Sequence, residues 1–247
     1  MKISLYLRDD HDLPLGKTLA QCAHAMNRVF IDRMIVQYND GEVSLIPTQQ
    51  AREAIIHLKD IDIDILRVPH EELISLVENS DNYVVDHGKT CFDEPTLTIG
   101  WTTEGLGKPV PPETRYATTL NSPQFKQPIL VNRANKDKDP DQVLKEGAIT
   151  STQVLLDAFD LVTGQIDLIE DDPLLNWIAN GMGKTVIGVK KESHYIEHVT
   201  FMEQEESNGF VETFNEQGPL LMAYYPVEVD RIERYTRTSR TQLLNSL

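Results

Sequence analysis

Apolar residues recur along the chain with two alternating periods. "ISLYL" near the start is a short extended run, and a 3–4 residue period follows it from Gly16 to Ile31. In that segment Leu19, Cys22, Met26 and Val29 form the core stripe of an amphipathic helix, while Lys17, Gln21, His24 and Arg28 recur at the same steps on another face. "GEVSLIP" predicts a small extra strand, and "TQQAREAIIHLKD" a second helix with Thr48 as N-cap. Strand "IDILRV", helix "HEELISLVEN", strand "NYVVD", a tight turn and strand "TLTIGW" complete the first half.

The second half opens with strand "PILVNRA" and a helix announced by Asp139-Pro140, continuing through "VLKEGAITSTQVLLDAF". After "DDPLLNWIANG" come strand "KTVIGVK", helix "HYIEHVTFMEQE", strand "FVETFN" and strand "PLLMAYYPV". The order of strand, long helix, variable segment, strand, helix, strand, turn and strand therefore occurs twice. Residues 103–128 between the halves hold five of the thirteen prolines and little apolar periodicity, the mark of a linker. The expected organisation is a domain over 1–104, a proline-rich linker over 105–127 and a diverged second repeat over 128–247. The expected fold class is α/β: two tandem three-layer α/β/α domains, each with a small four-stranded mixed sheet.

Charge narrows the picture. The chain has 23 Lys and Arg against 39 Asp and Glu, a net charge of −16 shared by both halves. Polyanion binders need a basic face to neutralise phosphates, so any such face here must be a local patch. No apolar run approaches the length of a membrane-spanning helix. "MKISLYLRDD" turns acidic after one short run, unlike a secretory signal, and Cys22 and Cys91 form no C-x-x-C pair. These features lead to an expectation of a cytoplasmic, reducing setting with no membrane.

Gly-Lys-Thr occurs three times, at 16–18, 88–90 and 183–185. A phosphate-cradling loop also needs a glycine five residues earlier, so that backbone N–H groups converge. Those positions hold His11, Tyr83 and Ile178, which argues against that use. "HYIEH", His194 to His198, matches a zinc-protease pattern, but the pattern is short, and a third ligand and the larger domain it requires are not evident in the 49 residues that follow, so zinc is not expected. The arginines at 231, 234, 237 and 240 read as a solvated helix end or tail, or a contact for an acidic partner.

Lys17 falls in the first turn of its helix, where unpaired N–H groups and the helix dipole favour an anion or developing oxyanion. "DHGKT" lies at the end of strand "NYVVD". If both reach the same sheet edge, Asp86 and Thr90 can face Lys17 and Gln21 and orient a water. No serine or cysteine is paired with a base to act as nucleophile. Lys17 and Gln21 alone could be a solvated face, and Asp86 a turn cap.

"RDDHDLPLGKTLAQCAHA", "RVPHEEL" and "DHGKT…PTLTIGW" resemble, in order and spacing, the signature stretches of the type-2 peptidyl-tRNA hydrolase family across residues 1–101. That family shows a lysine-rich G-K-G-K turn running into A-A-Q-C-x-H-A, then V-P-x-E-E-L, D-x-G-R-T and a closing T-V-L-x-I-G-P. The resemblance implies a four-stranded mixed sheet between helices and hydrolysis of the ester joining a peptide to the 3′ end of tRNA, without metal or cofactor. It implies catalytic roles for Lys17, Asp86 and Thr90, and substrate binding by Gln21, His24, Lys89 and Thr96. The departures concern grip: Pro14 and Leu15 replace the first Gly-Lys of the turn, Lys89 replaces an arginine, Pro95 stands where the last strand's threonine is expected, and Trp101 ends the motif. In the second half the corresponding helix positions are expected at Glu146, Thr150 and Gln153, and the aspartate position near Glu212 or Thr213, so that repeat is expected to lack a site. Family members resemble homodimers; a silent repeat would then serve as an internal partner, giving a monomer, with a dimer as the alternative. The rival reading is a non-catalytic acidic protein that binds a basic protein partner or mimics a nucleic acid.

Overall fold

A computed structural model describes residues 1–86, 92–117, 124–135, 139–204, 209–236 and 241–243, without the side chains of 201–204, 233–236 and 241–243. In the first half, β1 (Lys2–Arg8) leads into α1 (Leu15–Ile31), the hairpin β2 (Met34–Asn39) and β3 (Glu42–Pro47), and α2 (Gln49–Ile56). Then follow β4 (Asp62–Val68), α3 (His70–Val77), β5 (Tyr83–Asp86) and β6 (Thr96–Glu104). The second half runs β7 (Phe125–Asn132), α4 (Pro140–Leu156), β8 (Phe159–Asp160), β9 (Gln165–Ile169), α5 (Pro173–Ala179), β10 (Lys184–Val189) and α6 (Glu192–Gln204). It ends with β11 (Phe210–Asn215), β12 (Gly218–Tyr224), β13 (Val227–Glu228), α7 (Val229–Thr236) and β14 (Thr241–Leu243). The α/β class expected from the pattern is the observed one.

The first sheet has the order β4-β1-β6-β5, with β1 parallel to β4 and the other pairs antiparallel. The second repeats it as β10-β7-β12-β11, again with only the first pair parallel. It is larger than the four strands expected, because β14 pairs with β10 and β13 with the start of β7. Alternation assigns the faces. Ile3, Leu5 and Leu7 of β1 point into the core cluster with α1, while Tyr6 packs with Val68, Leu73 and Val77 on the α3 side. In the second half Ile129 and Val131 join the main core, and Leu130 joins Tyr195 on the α6 side. Each sheet therefore lies between helices.

α1 and α4 pack against each other and share the layer between the two sheets. Their approach depends on Gly147, where a Cβ would stand 2.3 Å from the buried Leu19 Cδ1. A satisfied polar network fixes the register. Thr152 donates to Asn27 Oδ1 (3.0 Å), Asn27 Nδ2 donates to Ser151 (3.4 Å), and Gln127 Nε2 donates to the Ser151 carbonyl (3.2 Å). The variable segments meet as well: β3 pairs antiparallel with β9, giving one sheet β2-β3-β9-β8 built from both halves. The proline-rich stretch is packed at its start. Leu106 and Val110 are buried, Val110 N–H donates to the Asp32 carbonyl (2.9 Å), and β7 begins within the expected linker at Phe125. Arg33, 1% exposed, ties this stretch to α1 and β6 through Gly107 O, Val29 O and Thr103 Oγ1.

Candidate active site

α1 starts behind Pro14 with no side-chain cap and no acidic residue in its first turn. Its leading N–H groups thus meet no carboxylate from their own turn. Lys17 and Gln21 sit one turn apart, and helical side chains lean toward the N-terminus, so both reach the same side of that end. β5 delivers Asp86 there as its last residue, paired across the ladder with Thr96 at the start of β6. A bulge between Val84 and Val85 turns the end of β5, and Thr98 Oγ1 donates to the Val84 carbonyl at that point (3.2 Å).

Three sequence-predicted residues meet. Lys17 Nζ forms an ion pair with Asp86 Oδ2, and Gln21 Nε2 donates to the same oxygen at 3.2 Å. The carboxylate is 8% exposed and the lysine 19%, so their attraction is less screened than at the open surface. Gln21 Oε1 is buried without a hydrogen-bond partner. Among the described residues no donor reaches it.

The other predicted residues stand differently. Thr96 is Asp86's ladder neighbour, but its hydroxyl donates to the Glu94 carbonyl (2.9 Å). His24 lies one turn beyond Gln21, and no hydrogen bond or ion pair joins it to Asp86. Burial, with Lys184 and then Arg28 nearby, pushes its imidazole well below 6.5, so it stays neutral. Lys89 and Thr90 lie outside the described residues, as do Cys91 and the arginines at 237 and 240. Cys22 is fully buried on the apolar stripe, and desolvation pushes its thiol up to about 12. It is inert core.

A cleft of about 960 Å³ opens beside Thr96, lined among others by Arg8, His11, Asp12, His70, Phe92 and Glu94. Arg8, at the end of β1, is held by Asp10 (Nε to Oδ1, 2.7 Å) and by the Leu97 carbonyl (3.2 Å). Among the described residues, no three His, Cys, Asp or Glu side chains gather as metal ligands, and His194 and His198 sit on α6 apart from this end of α1.

Topology corrects the counterparts expected in the second half. The bulge in β11 falls between Thr213 and Phe214, so the residue equivalent to Asp86 is Asn215, two or three positions beyond the Glu212 or Thr213 expected. α1 and α4 are both 17 residues long, and aligned from their starts they set Gln142 opposite Lys17, Glu146 opposite Gln21 and Ile149 opposite His24. Asn215 exchanges amide hydrogen bonds with Asn135 (2.7 and 3.2 Å). The described second half thus carries neither the lysine nor the aspartate of the first.

Sequence reasoning missed Lys184. It begins β10 against α1, its Nζ donates to the Met182 carbonyl (2.9 Å), and it lies 4.7 Å from the Trp177 ring centre. Its signal was the third Gly-Lys-Thr, which as a phosphate-loop fragment leads nowhere. Comparison with family models finds no match, and comparison with curated proteins finds none either. Among the described residues no helix is long and apolar enough to cross a membrane.

Proposed function

We propose that the first half is a hydrolase of the ester bond in peptidyl-tRNA or N-blocked aminoacyl-tRNA. The observation that carries this reading is the meeting of Lys17 and Gln21 with Asp86, 65 or more residues further along the chain, at the uncapped start of α1. It is the cluster that the family resemblance requires. Asp86 accepts a proton from a water that attacks the ester carbonyl, and Lys17 with the α1 N–H groups stabilises the tetrahedral oxyanion. Collapse of that intermediate breaks the bond to the 3′ oxygen of the terminal ribose, which leaves as a hydroxyl by taking a proton. The resemblance adds Thr90 beside the water and Lys89, His24 and Thr96 along the substrate. The reading needs no metal and no cofactor. In the same reading the second half replaces the partner of a homodimer, so the protein is a monomer.

Release of N-acetyl-amino acid from acetyl-aminoacyl-tRNA tests it. Lys17→Ala and Asp86→Asn should each lower turnover by at least about 100-fold, the usual loss when an oxyanion-stabilising group or a general base is removed.

The net charge of −16, together with Leu15 and Pro95 at motif positions, favours a second reading: a non-catalytic protein whose acidic surface binds a basic partner. Retention on a cationic protein surface but not on immobilised tRNA at low salt, in a protein without esterase activity, would select it.

A further inference from the structure

The cleft beside Thr96 is walled by two stretches of chain that the fold ties down. Asp9 N–H donates to the Val68 carbonyl (3.1 Å), Leu13 N–H donates to the His11 carbonyl (2.9 Å), and Arg8 holds Asp10 (Nε to Oδ1, 2.7 Å). His11 lies between these anchors. On the second stretch, the Thr96 hydroxyl donates to the Glu94 carbonyl (2.9 Å) and fixes the entry to β6 just after Phe92. The His11 and Phe92 rings meet edge to face, with centres 5.1 Å apart and planes at 69°, and both line the cleft. The pair closes one corner of it with aromatic surface.

Charge is layered around that corner. His11, Phe92, His70 and Thr96 are half-buried, whereas Asp12, Asp93 and Glu94 are exposed. Three carboxylates at the rim disfavour a phosphate here, because the one guanidinium in the lining, Arg8, is already engaged by Asp10 and the Leu97 carbonyl. They suit a flat, uncharged ring that carries an amine. A carboxylate accepts from the exocyclic amine of a base, and any base stacks on an aromatic face. At about 960 Å³ the cleft has room for a nucleoside. It also adjoins both carriers of the candidate active site. Pro14 lines it and accepts from Lys17 N–H (2.8 Å), and Thr96 lines it and pairs across the ladder with Asp86.

We infer that this cleft is a subsite for the 3′-terminal nucleoside of the substrate, which in tRNA is an adenosine. Its base stacks on the His11–Phe92 pair and turns its amine toward the carboxylates of the rim. The inference deepens the hydrolase reading and rests on it for the identity of the nucleoside. The ester carbonyl that meets Lys17 and Asp86 hangs from the ribose of that same nucleoside, so its base has to lie beside the cluster, and this cleft is beside it. The subsite also gives a chain of net charge −16 a way to hold RNA. It grips an uncharged base, where stacking rather than phosphate neutralisation supplies the affinity. That use tolerates Pro14 and Leu15 in place of the Gly-Lys of the turn.

Titration of the full chain with adenosine, followed through the imidazole resonances of His11, tests this. Those resonances are assigned by their loss in His11→Gln. Adenosine should move them. Inosine, which keeps the ring system and replaces the amine by a carbonyl, should need about tenfold more ligand for the same effect. Phe92→Leu, at a half-buried position, should fold and bind adenosine about tenfold more weakly, the usual worth of one base–aromatic stack. The readout needs no turnover, so the two readings fail separately. A protein that binds adenosine in this way but releases no N-acetyl-amino acid keeps the subsite and loses the hydrolase. His11 resonances unmoved by adenosine in the folded wild type, or equally responsive to inosine or in Phe92→Leu, overturn the subsite whatever the turnover.

Discussion

Arg33 and His24 show how single side chains set the terms at this junction. Arg33 is buried with three hydrogen-bond partners, and Arg33→Ala would leave the Val29 and Gly107 carbonyls and the Thr103 hydroxyl unpaired around a cavity. A loss of about 3 kcal/mol is expected in urea unfolding, since each buried orphan costs about 1 kcal/mol or more. His24 makes stability depend on pH. Its folded pKa lies well below 6.5, so below pH 6.5 the unfolded chain binds a proton that the folded protein refuses. Stability should therefore rise with pH up to 6.5 and then level off with respect to this group, while Lys184 extends the rise from its own lowered value toward 10.5. Urea midpoints at about pH 5.5 and 7.5 in phosphate-free buffer check this, and His24→Gln should flatten the difference. The polar stripe Lys17-Gln21-His24-Arg28 was legible from helical spacing alone. That β10, which begins at Lys184, packs against this helix was not, because it joins the two halves and no local rule predicts such a pairing.

Elements were legible where their period was long and clear. α1, α4, both β1-like strands and the Asp139 cap of α4 follow from apolar spacing and N-cap chemistry, and Asp139 accepts from Asp141 N–H as that chemistry requires. The β11 bulge was not legible. An extra residue in one strand shifts every later position, which is why Asn215 and not Glu212 or Thr213 matches Asp86. The sheet shared by β2, β3, β9 and β8 was hidden too, since each hairpin buries its free edge only against the other half. Close helix crossing belongs to this scale. Gly147→Ala should raise α4's intrinsic helix propensity by about 1 kcal/mol, yet destabilise the protein by about 1–2 kcal/mol net. The added methyl meets Leu19, which is itself 0% exposed and has no room to move aside. An increased thermal midpoint for this variant would contradict a close crossing at Gly147.

At the scale of the molecule, two copies of one strand order enclose a shared layer of α1 and α4, and a mixed sheet joins their variable segments. The core runs through both halves without a break: Leu19, Met26 and Phe30 belong to the same buried cluster as Leu144, Leu155 and Trp177. A fragment ending at residue 117 would expose the α1 face and the β3 edge together, and should self-associate or aggregate, whereas the full chain should elute with the mass of one chain in light scattering. A monomeric, fully folded fragment would contradict that. The repeated order of elements was legible in the pattern; the core shared by both halves was not, because periodicity reports that a face is apolar without saying what covers it. What the molecule does rests on one cluster at one end of α1. The most direct test is release of N-acetyl-amino acid from acetyl-aminoacyl-tRNA by the wild type beside Lys17→Ala and Asp86→Asn, with the fold of each variant confirmed by circular dichroism. Turnover by the wild type and its loss in both folded variants is the predicted result. No turnover by the wild type, or undiminished turnover in either variant, would contradict it.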